Sequence, residues 1–236
     1  MKEIRASRRT SFPLFSVCTL ILAFASLYAE PKAEPTPPAS LENAANNPAI
    51  SPDVKNAVEE GLKAFAKNDL ESARVAFQKL LQIEPENLTG LVNLGLVEYR
   101  LNHPDEAGKL LKNAVRIKPE AAFAWLALGI VCYEQGKMDA ALAALAQAAV
   151  LEPKNPKVHN YMAVTIGKKG WYSGAESELQ RAIELDPDYA EAHFNLAVFY
   201  LQRSPPAVEL ARRHYQKALD LGAAPDPLVE KELDAK

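Results

Sequence analysis

Residues 122–155 read AFAWLALGIVCYEQGKMDAALAALAQAAVLEPKN, and this stretch sets the plan for most of the chain. The plan recurs at a constant step of thirty-four residues, most visibly in four prolines: Pro85, Pro119, Pro153 and Pro187. Small residues keep the same step in a second column: Gly61, Gly95, Gly129, Ala163 and Ala197. A fixed period of this length indicates repeated supersecondary units that stack into a solenoid.

Each unit has the pattern of two consecutive helices. In residues 122–155, a first apolar segment ends near Gly136, a residue type that readily adopts the left-handed conformation at helix ends. A second segment ends before Pro153, because the residue that precedes a proline is disfavoured in the helical region. The pattern therefore predicts an all-α fold of helix hairpins, with two helices of about fourteen residues in each hairpin.

The stretch resembles the tetratricopeptide repeat family in its residue types and their spacing. The matching positions are Trp125, Leu128, Gly129, Tyr133, Gly136, Ala141, Ala148 and Pro153. The resemblance implies a right-handed superhelical solenoid of antiparallel helix pairs with a concave inner face. It implies a repeat domain over residues 53–236, which comprises repeats 54–87, 88–121, 122–155, 156–189 and 190–225 and a capping helix over 226–236.

The first 29 residues have the features of a secretory signal peptide. They combine a basic start, an apolar stretch of about sixteen residues and a small residue before a polar region. We expect cleavage after Ala29 and export to the periplasm or the cell envelope. Leu27 is larger than the residue preferred at its place, so an uncleaved membrane anchor through residues 12–29 is the alternative.

Two other export signals match the leader less well. Ser7-Arg8-Arg9 resembles a twin-arginine signal, but the phenylalanine follows one position late, at Phe12. Cys18 resembles a lipoprotein cysteine, but Val17 is large for the position beside it. Residues 30–52 are rich in proline and poor in large apolar residues, which predicts a disordered linker between the leader and the repeats.

The charge balance argues against a nucleic-acid-binding protein. The chain has 27 basic and 30 acidic residues, and the leader holds four of the bases and one of the acids. The remainder, with 23 bases and 29 acids, has a net charge of −6 and lacks a basic stripe. Cys132 is the only cysteine outside the leader, and its place in an apolar segment predicts a buried thiol.

No motif for catalysis or cofactor binding is found. The sequence lacks a glycine-rich phosphate loop, paired cysteine ligands and a His-Glu-x-x-His motif, so neither an enzyme nor a cofactor is predicted. His159 and His193 occupy the same place in adjacent repeats, where they could form a metal or acid–base pair. In the resembling family this column holds packed aromatic residues, which favours a structural role for both.

One stripe of side chains is the candidate binding surface. Positions 2, 5, 9, 12 and 13 of each repeat share one face of the first helix by helical spacing, and the resemblance places that face on the concave side. The predicted partner-binding residues are Val92, Leu96, Tyr99, Phe123, Leu126, Ile130, Tyr133, Lys157, Asn160, Lys168 and Phe194. The family's carboxylate-clamp variant is not matched, because Val58 and Leu62 stand where its first Lys and Asn would be.

This stripe predicts an adaptor or scaffold that binds an amphipathic helix or an extended segment of a protein partner. Apolar side chains of the partner would lie on repeats 2 and 3, and an acidic group would reach Lys157 and Lys168. In one alternative, the apolar surface joins copies of the chain into homo-oligomers. In another, the stripe side chains mostly cover one another. Membrane contact is expected only through an uncleaved leader.

Repeats 4 and 5 depart from the common pattern. In repeat 4, Ala163 replaces the usual glycine and Gly167 replaces the usual tyrosine. A glycine inside a helix costs about 1 kcal/mol relative to alanine, so the sequence predicts that repeat 4 is the loosest internal unit. In repeat 5, Ser204-Pro205-Pro206 lengthens the turn between the helices by two residues.

Overall fold

A computed structural model describes residues 51–235 of the chain, and this part is built from α-helices. The helices are α1 (Pro52–Ala66), α2 (Leu70–Ile83), α3 (Leu88–Arg100), α4 (Pro104–Ile117), α5 (Ala122–Glu134), α6 (Met138–Leu151), α7 (Pro156–Lys168), α8 (Tyr172–Leu185), α9 (Ala190–Gln202), α10 (Val208–Asp220) and α11 (Pro227–Asp234). Residues 51–235 contain no β-strand. The predicted leader, and residues 30–50 of the predicted linker, lie outside the described residues.

The helices form five hairpins that stack in sequence order. We number the hairpins 1 to 5, from α1–α2 to α9–α10. The second helix of each hairpin packs against the first helix of the next, and successive first helices also touch one another. Each element therefore contacts its close neighbours in sequence, which is the arrangement of a solenoid. The predicted all-α solenoid fold is confirmed.

A left-handed residue lies at the turn of each of the first four hairpins. Asn68 has φ of 59° and Asn102 has φ of 63°, while Gly136 and Gly170 have φ of 72° and 82°. These four residues follow the same thirty-four-residue step. Glycine tolerates this region because it has no Cβ, and asparagine enters it more readily than other side chains. The sequence pattern had indicated only Gly136.

The column of small residues allows close contact within the hairpins. A Cβ atom added to Gly129 would lie 2.6 Å from Cγ of Leu145, and one added to Gly95 would lie 2.9 Å from Cγ of Leu111. Both leucines are fully buried on the second helix of the same hairpin. Glycine is therefore required here by the space that the opposing leucine fills.

Gly167 has a different neighbour. A Cβ atom at this position would overlap the ring of Phe199, which lies on α9 in the next hairpin. Phe199 is buried, and its ring also lies near that of Tyr172, with 6.2 Å between the ring centroids. The space left by the missing tyrosine is thus filled from hairpin 5. The expectation of a loose repeat 4 rested on helix propensity alone and missed this contact.

Helix α5 lies at the centre of the array. Ten of its thirteen residues are buried, because α4, α6 and the neighbouring first helices α3 and α7 pack around it. Cys132 on this helix is 3% exposed and forms no disulfide. Burial raises the pKa of its thiol, which favours the neutral, unreactive form.

The C-terminal helix α11 covers the end of the array. Val229 and Leu233 are its buried residues, and the helix contacts both α9 and α10. The amide of Asp226 donates to the hydroxyl of Tyr215 over 2.7 Å, which fastens the start of α11 to α10. In residues 51–235, no helix has both the length and the apolar character needed to span a membrane.

Candidate functional site

The predicted stripe lies on the first helices α3, α5, α7 and α9, and most of it is buried. The buried members are Val92, Leu96, Leu126, Ile130, Tyr133, Asn160 and Phe194. They pack against neighbouring helices of the array, so they form a floor. The half-buried members are Tyr99, Phe123, Lys157 and Lys168. The surface that a partner could touch is therefore narrower than the whole stripe, and its role in binding stays a prediction.

Four tyrosines from adjacent elements lie close enough to influence one another's ionisation. They are Tyr99 on α3, Tyr133 on α5, Tyr161 on α7 and Tyr189 immediately before α9, and we call them the tyrosine cluster. Burial is the largest influence on each hydroxyl and raises the pKa of all four well above that of a free tyrosine. The cluster therefore presents neutral phenols with aromatic faces, two of them half-buried.

Three carboxylates, those of Glu134, Asp186 and Glu191, act on the tyrosine cluster. After burial, Glu134 contributes to the raised pKa of Tyr99, Tyr133 and Tyr161. Glu191 acts in the same direction on Tyr161 and on Tyr189. Each of these effects arises because a nearby negative charge disfavours the ionised phenolate.

Glu134 is itself perturbed by its surroundings. Its side chain reaches solvent, but the neighbouring protein desolvates the carboxylate and raises its pKa. The positive charge of Lys168 opposes this change with a smaller effect. Lys168, predicted as a contact for an acidic partner group, therefore already interacts with a carboxylate of its own chain.

A buried amide network lies beside the tyrosine cluster. Asn195 donates through Nδ2 to Oδ1 of Asn160 over 2.8 Å, and Asn160 donates through its own Nδ2 to the hydroxyl of Tyr189 at 3.4 Å. These bonds join α7 to α9 and hold Tyr189 in place. Asn160, predicted as a partner contact, is 2% exposed and uses its amide within the protein.

The sequence analysis missed four residues of this site, one of which, Tyr189, is the last residue of repeat 4. Glu134 and Glu191 stand at positions 13 and 2 of their repeats, so the spacing that selected the stripe also points to them. Tyr161 stands at position 6, outside the stripe, and no spacing rule used above selects it. Its proximity to Tyr99 and Tyr133 is visible only when the first helices are stacked.

The two histidines do not pair with each other. His159 contacts Glu178 through Nδ1 at 2.7 Å, whereas His193 contacts His214 through Nδ1 at 2.9 Å. Both histidines direct Nε2 at the carbonyl of the proline six residues earlier, Pro153 or Pro187. A tryptophan does the same in hairpin 3.

That tryptophan is Trp125, whose Nε1 donates to the carbonyl of Pro119 over 2.8 Å. The column thus supplies a ring nitrogen that binds the turn between repeats, which supports the structural interpretation of both histidines. Within residues 51–235, no group of three or more His, Cys, Asp or Glu side chains is placed to hold a metal ion. The tyrosine cluster combines aromatic faces with charged side chains. Groups of this kind make non-covalent contacts with other molecules.

Solved structures with a similar fold cover most of the chain. MamA from Desulfovibrio magneticus RS-1 matches with a TM-score of 0.64 and 16% identity, over 73% of this chain and 97% of that one. PilF from Pseudomonas aeruginosa matches with a TM-score of 0.66 and 18% identity, over 73% and 78%. YrrB, described as a TPR protein with an unusual peptide-binding site, matches with a TM-score of 0.59 and 22% identity, over 87% and 100%. At these identities the likeness concerns the fold.

Sequence comparison identifies the family directly. No curated protein sequence is significantly similar to the chain. The tetratricopeptide repeat pattern, however, matches residues 58–122 and 92–156, and a second pattern of the same family matches residues 168–203. These matches together span more than half of the chain. With the thirty-four-residue step and the stacked hairpins, they establish that the chain belongs to the tetratricopeptide repeat family.

Proposed function

We propose that this protein is an exported interaction scaffold that binds a segment of another protein across the tyrosine cluster. The observation that carries the proposal is the set of half-buried aromatic side chains on the first helices of three successive hairpins: Tyr99, Phe123 and Tyr161. Side chains of this kind offer apolar area and a polar tip to a partner. The peptide-binding site of YrrB, a protein of the same fold, supports the proposal.

The partner would be an amphipathic helix or an extended segment. Its apolar side chains would pack on the half-buried aromatic residues, while the buried members of the stripe keep the floor rigid. Each well-buried anchor contributes roughly 1.5–3 kcal/mol. After the cost of association is subtracted, three or four such anchors correspond to binding at about micromolar concentrations.

An acidic anchor on the partner gains less at Lys168 than the sequence suggested. Glu134 already interacts with Lys168, so a partner carboxylate would compete with it. Lys157, half-buried at the start of α7, is the other basic residue predicted for this contact. The acidic contact is therefore a weaker part of the proposal than the aromatic one.

Export supports a role at the cell envelope. The proposal of export rests on the basic start and apolar stretch of residues 1–29, with cleavage after Ala29 or, alternatively, retention as an anchor through residues 12–29. In either case the repeats would meet envelope proteins. N-terminal sequencing of the purified protein distinguishes a new terminus at Glu30 from an intact leader.

Photo-crosslinking tests the proposed binding face. A photoreactive phenylalanine analogue is placed at position 123, and the full chain is expressed in the cells that naturally produce it. We expect a discrete adduct with a second protein. The matched control is Lys109, which is exposed on α4 and does not belong to the stripe. The proposal fails if Phe123 gives no adduct, or if both positions give the same set of adducts.

A second candidate function is self-association. Large apolar side chains are exposed on several helices, including Val75 at 64% and Val150 at 74%. Such residues, where they coincide on neighbouring copies, would join the chains into homo-oligomers. Light scattering of the purified protein gives the mass of the particle directly. A multiple of the chain mass, together with adducts between two identical chains, would favour this function over the scaffold.

A further inference from the structure

We infer that the contact between His193 and His214 is a pH-sensitive junction, which joins α9 to α10 at neutral pH and releases α10 with α11 when both imidazoles are protonated. This inference is independent of the proposed function, because it concerns a contact inside hairpin 5. Three observations lead to it: the geometry of the two rings, the different pair at the same place in hairpin 4, and the contacts that fasten α11 to α10.

The two imidazoles of hairpin 5 face each other through their Nδ1 atoms. These atoms of His193 and His214 are 2.9 Å apart, and the ring centroids are 5.2 Å apart. Two ring nitrogens at this distance form a hydrogen bond when one carries a proton and the other accepts it. In the neutral pair, a single proton therefore lies between the two rings.

A second proton between the rings turns this attraction into repulsion. A protonated imidazole carries a hydrogen on both nitrogens, so in a doubly protonated pair both Nδ1 atoms are donors and neither accepts. Both rings are then positively charged, and like charges in contact disfavour the charged form. His193 is 6% exposed, so little water screens the two charges. The closed hairpin 5 therefore disfavours the doubly protonated pair.

The pKa of His214 changes in the direction that this geometry requires. Burial lowers the pKa of His214 from 6.5, and the charge of His193 lowers it further. An opened hairpin binds the proton more readily than the closed one. The closed form is therefore favoured above pH 6.5, and this preference is lost as the pH falls through that value and below it.

The titratable and charged groups of the elements around the pair are engaged in other contacts. Lys217 on α10 pairs with Asp188, in the turn before α9, at 3.0 Å, and Arg203, directly after α9, pairs with Glu176 on α8 at 3.6 Å. The remaining groups are Tyr200 on α9, with its ring centroid 5.7 Å from that of His214, Glu230 on α11, which contacts the hydroxyl of Tyr215, and the pair of His159 on α7 with Glu178 on α8. Burial and His193 are the influences that act on the pKa of His214.

Hairpin 4 has a different pair at the same place. His159 stands one repeat before His193, and its Nδ1 contacts a carboxylate oxygen of Glu178 at 2.7 Å. His214 takes the place of Glu178 once the two extra residues in the turn of hairpin 5 are counted. A proton on His159 faces a negative charge, so this contact persists as an ion pair in acid. Acid therefore acts on the pair of hairpin 5 and spares that of hairpin 4.

Opening of the pair would uncover an apolar face of α9. The ring of Phe194 on α9 lies 6.0 Å from that of Tyr215 on α10, and both side chains are buried. Helix α11 is fastened to α10, because the amide of Asp226 donates to the hydroxyl of Tyr215 and Arg212 donates through Nη2 to the carbonyl of Leu233 over 2.8 Å. Helices α10 and α11 should therefore leave α9 together.

Hydrogen exchange at two pH values tests the inference on the purified protein. Mass spectrometry measures the protection of the amides at pH 7.5 and at pH 5.5, after correction for the intrinsic exchange rate at each pH. We expect the protection of α10 and α11 to fall about tenfold at pH 5.5 relative to that of α6, because the histidine pair opens.

Exchange of the pairs between hairpins locates the effect. His214→Glu gives hairpin 5 the pair of hairpin 4 and should reduce the change in protection to less than about twofold. Glu178→His gives hairpin 4 the pair of hairpin 5 and should make the protection of α8 fall at pH 5.5. The matched control Arg213→Glu places a carboxylate one position away on α10, where it does not share the face of residue 214, and should keep the full change.

Two results would overturn the inference. In the first, α10 and α11 keep their protection at pH 5.5 relative to α6; in the second, His214→Glu responds to acid as strongly as the unchanged protein. Circular dichroism at neutral pH checks that the helices of each variant persist. If His214→Glu does not fold, Glu178→His decides the question, because an α8 whose protection does not fall in acid would equally overturn the inference.

Discussion

Hairpins 3 and 4 carry a glycine on their first helices, and the two glycines make contact with different parts of the molecule. Gly129 faces Leu145 on the second helix of its own hairpin, whereas Gly167 faces Phe199 on the first helix of the next hairpin. The first contact lets the two helices of one hairpin pack closely. The second lets successive hairpins pack closely. A solenoid needs both kinds of close packing, and here glycine allows each of them.

The comparison shows why a departure from the repeat pattern need not weaken the array. Hairpin 3 keeps a tyrosine, Tyr133, at position 12, and hairpin 4 has Gly167 there. The ring that is missing from hairpin 4 is supplied by Phe199 from hairpin 5. The stability of the fourth and fifth hairpins should therefore be more strongly coupled than their sequences suggest.

Removal of the Phe199 ring should have the largest effect. Phe199→Ala leaves a cavity next to Gly167, and such truncations of buried phenylalanine cost about 3–5 kcal/mol. Urea denaturation should show this loss, and hydrogen exchange should become faster in α9, α10 and α11 than in α3 to α6. If hydrogen exchange became equally faster in all helices, the Phe199 ring would not act mainly at the contact between hairpins 4 and 5.

Alanine substitutions at the two glycines distinguish packing within a hairpin from packing between hairpins. Gly129→Ala and Gly167→Ala should each destabilise the protein by about 1–3 kcal/mol, because the added methyl group overpacks a filled site. In double-mutant cycles, Gly129→Ala should couple with Leu145→Ala and Gly167→Ala with Phe199→Leu. The crossed combination of Gly129→Ala with Phe199→Leu, as the control, should be additive within about 0.5 kcal/mol.

The fifth hairpin should lose stability on acidification in a way that hairpin 3 does not. His193 directs Nε2 at the Pro187 carbonyl, and its Nδ1 lies 2.9 Å from Nδ1 of His214, so a hydrogen bond between the two rings holds a single proton. Burial, and then the nearby charge of His193, lowers the pKa of His214 from 6.5. Hairpin 3 has Trp125 in the column of His193 and no histidine on its second helix.

The sign of this effect follows from proton binding. The unfolded chain binds a proton at His214 more readily than the folded chain, so stability present above pH 6.5 is lost as the pH falls through that value and below it. Thermal melting measured between pH 8 and pH 5 should show the decrease, and His214→Gln should reduce it. An unchanged pH dependence in this variant would exclude the histidine pair as the cause.

The polar contacts along the turns should have the smallest effects and should not distinguish the hairpins. Lys169, directly after α7, pairs with Asp139 at the start of α6, and Gln135, directly after α5, bonds to Asp105 at the start of α4. Both acids are largely exposed. Asp139→Asn and Asp105→Asn should each change the unfolding free energy by less than about 1 kcal/mol.

Most of the fold could be predicted from the sequence, because the repeat is local. A helix pair of thirty-four residues closes with contacts made inside one unit, such as Gly129 with Leu145, and these contacts repeat wherever the residues repeat. The left-handed turn was predicted at Gly136 but not at Asn68 or Asn102, since asparagine is also common in helices and loops. Phe199 was not recognised, because its partner Gly167 belongs to another repeat.

The candidate site was only partly predictable. Helical spacing selected Tyr99 and Tyr133 and, had it been applied to acidic residues, would have selected Glu134 and Glu191 as well. It did not indicate that Leu96 and Ile130 would be covered by neighbouring helices, with 6% and 7% of their surface exposed. Spacing gives the direction of a side chain on its own helix and says nothing of what the next helix covers.

The sequence by itself determined the number of hairpins, their order and the face of each first helix, because a constant step and helical periodicity act within about one repeat. Only the tertiary structure decided which side chains of that face reach the surface and which charges meet there. Tyr161, Glu134 and Lys168 come from two different helices, and their proximity depends on how the hairpins stack. Stacking is set by the sum of many contacts between repeats, which no single stretch of sequence records.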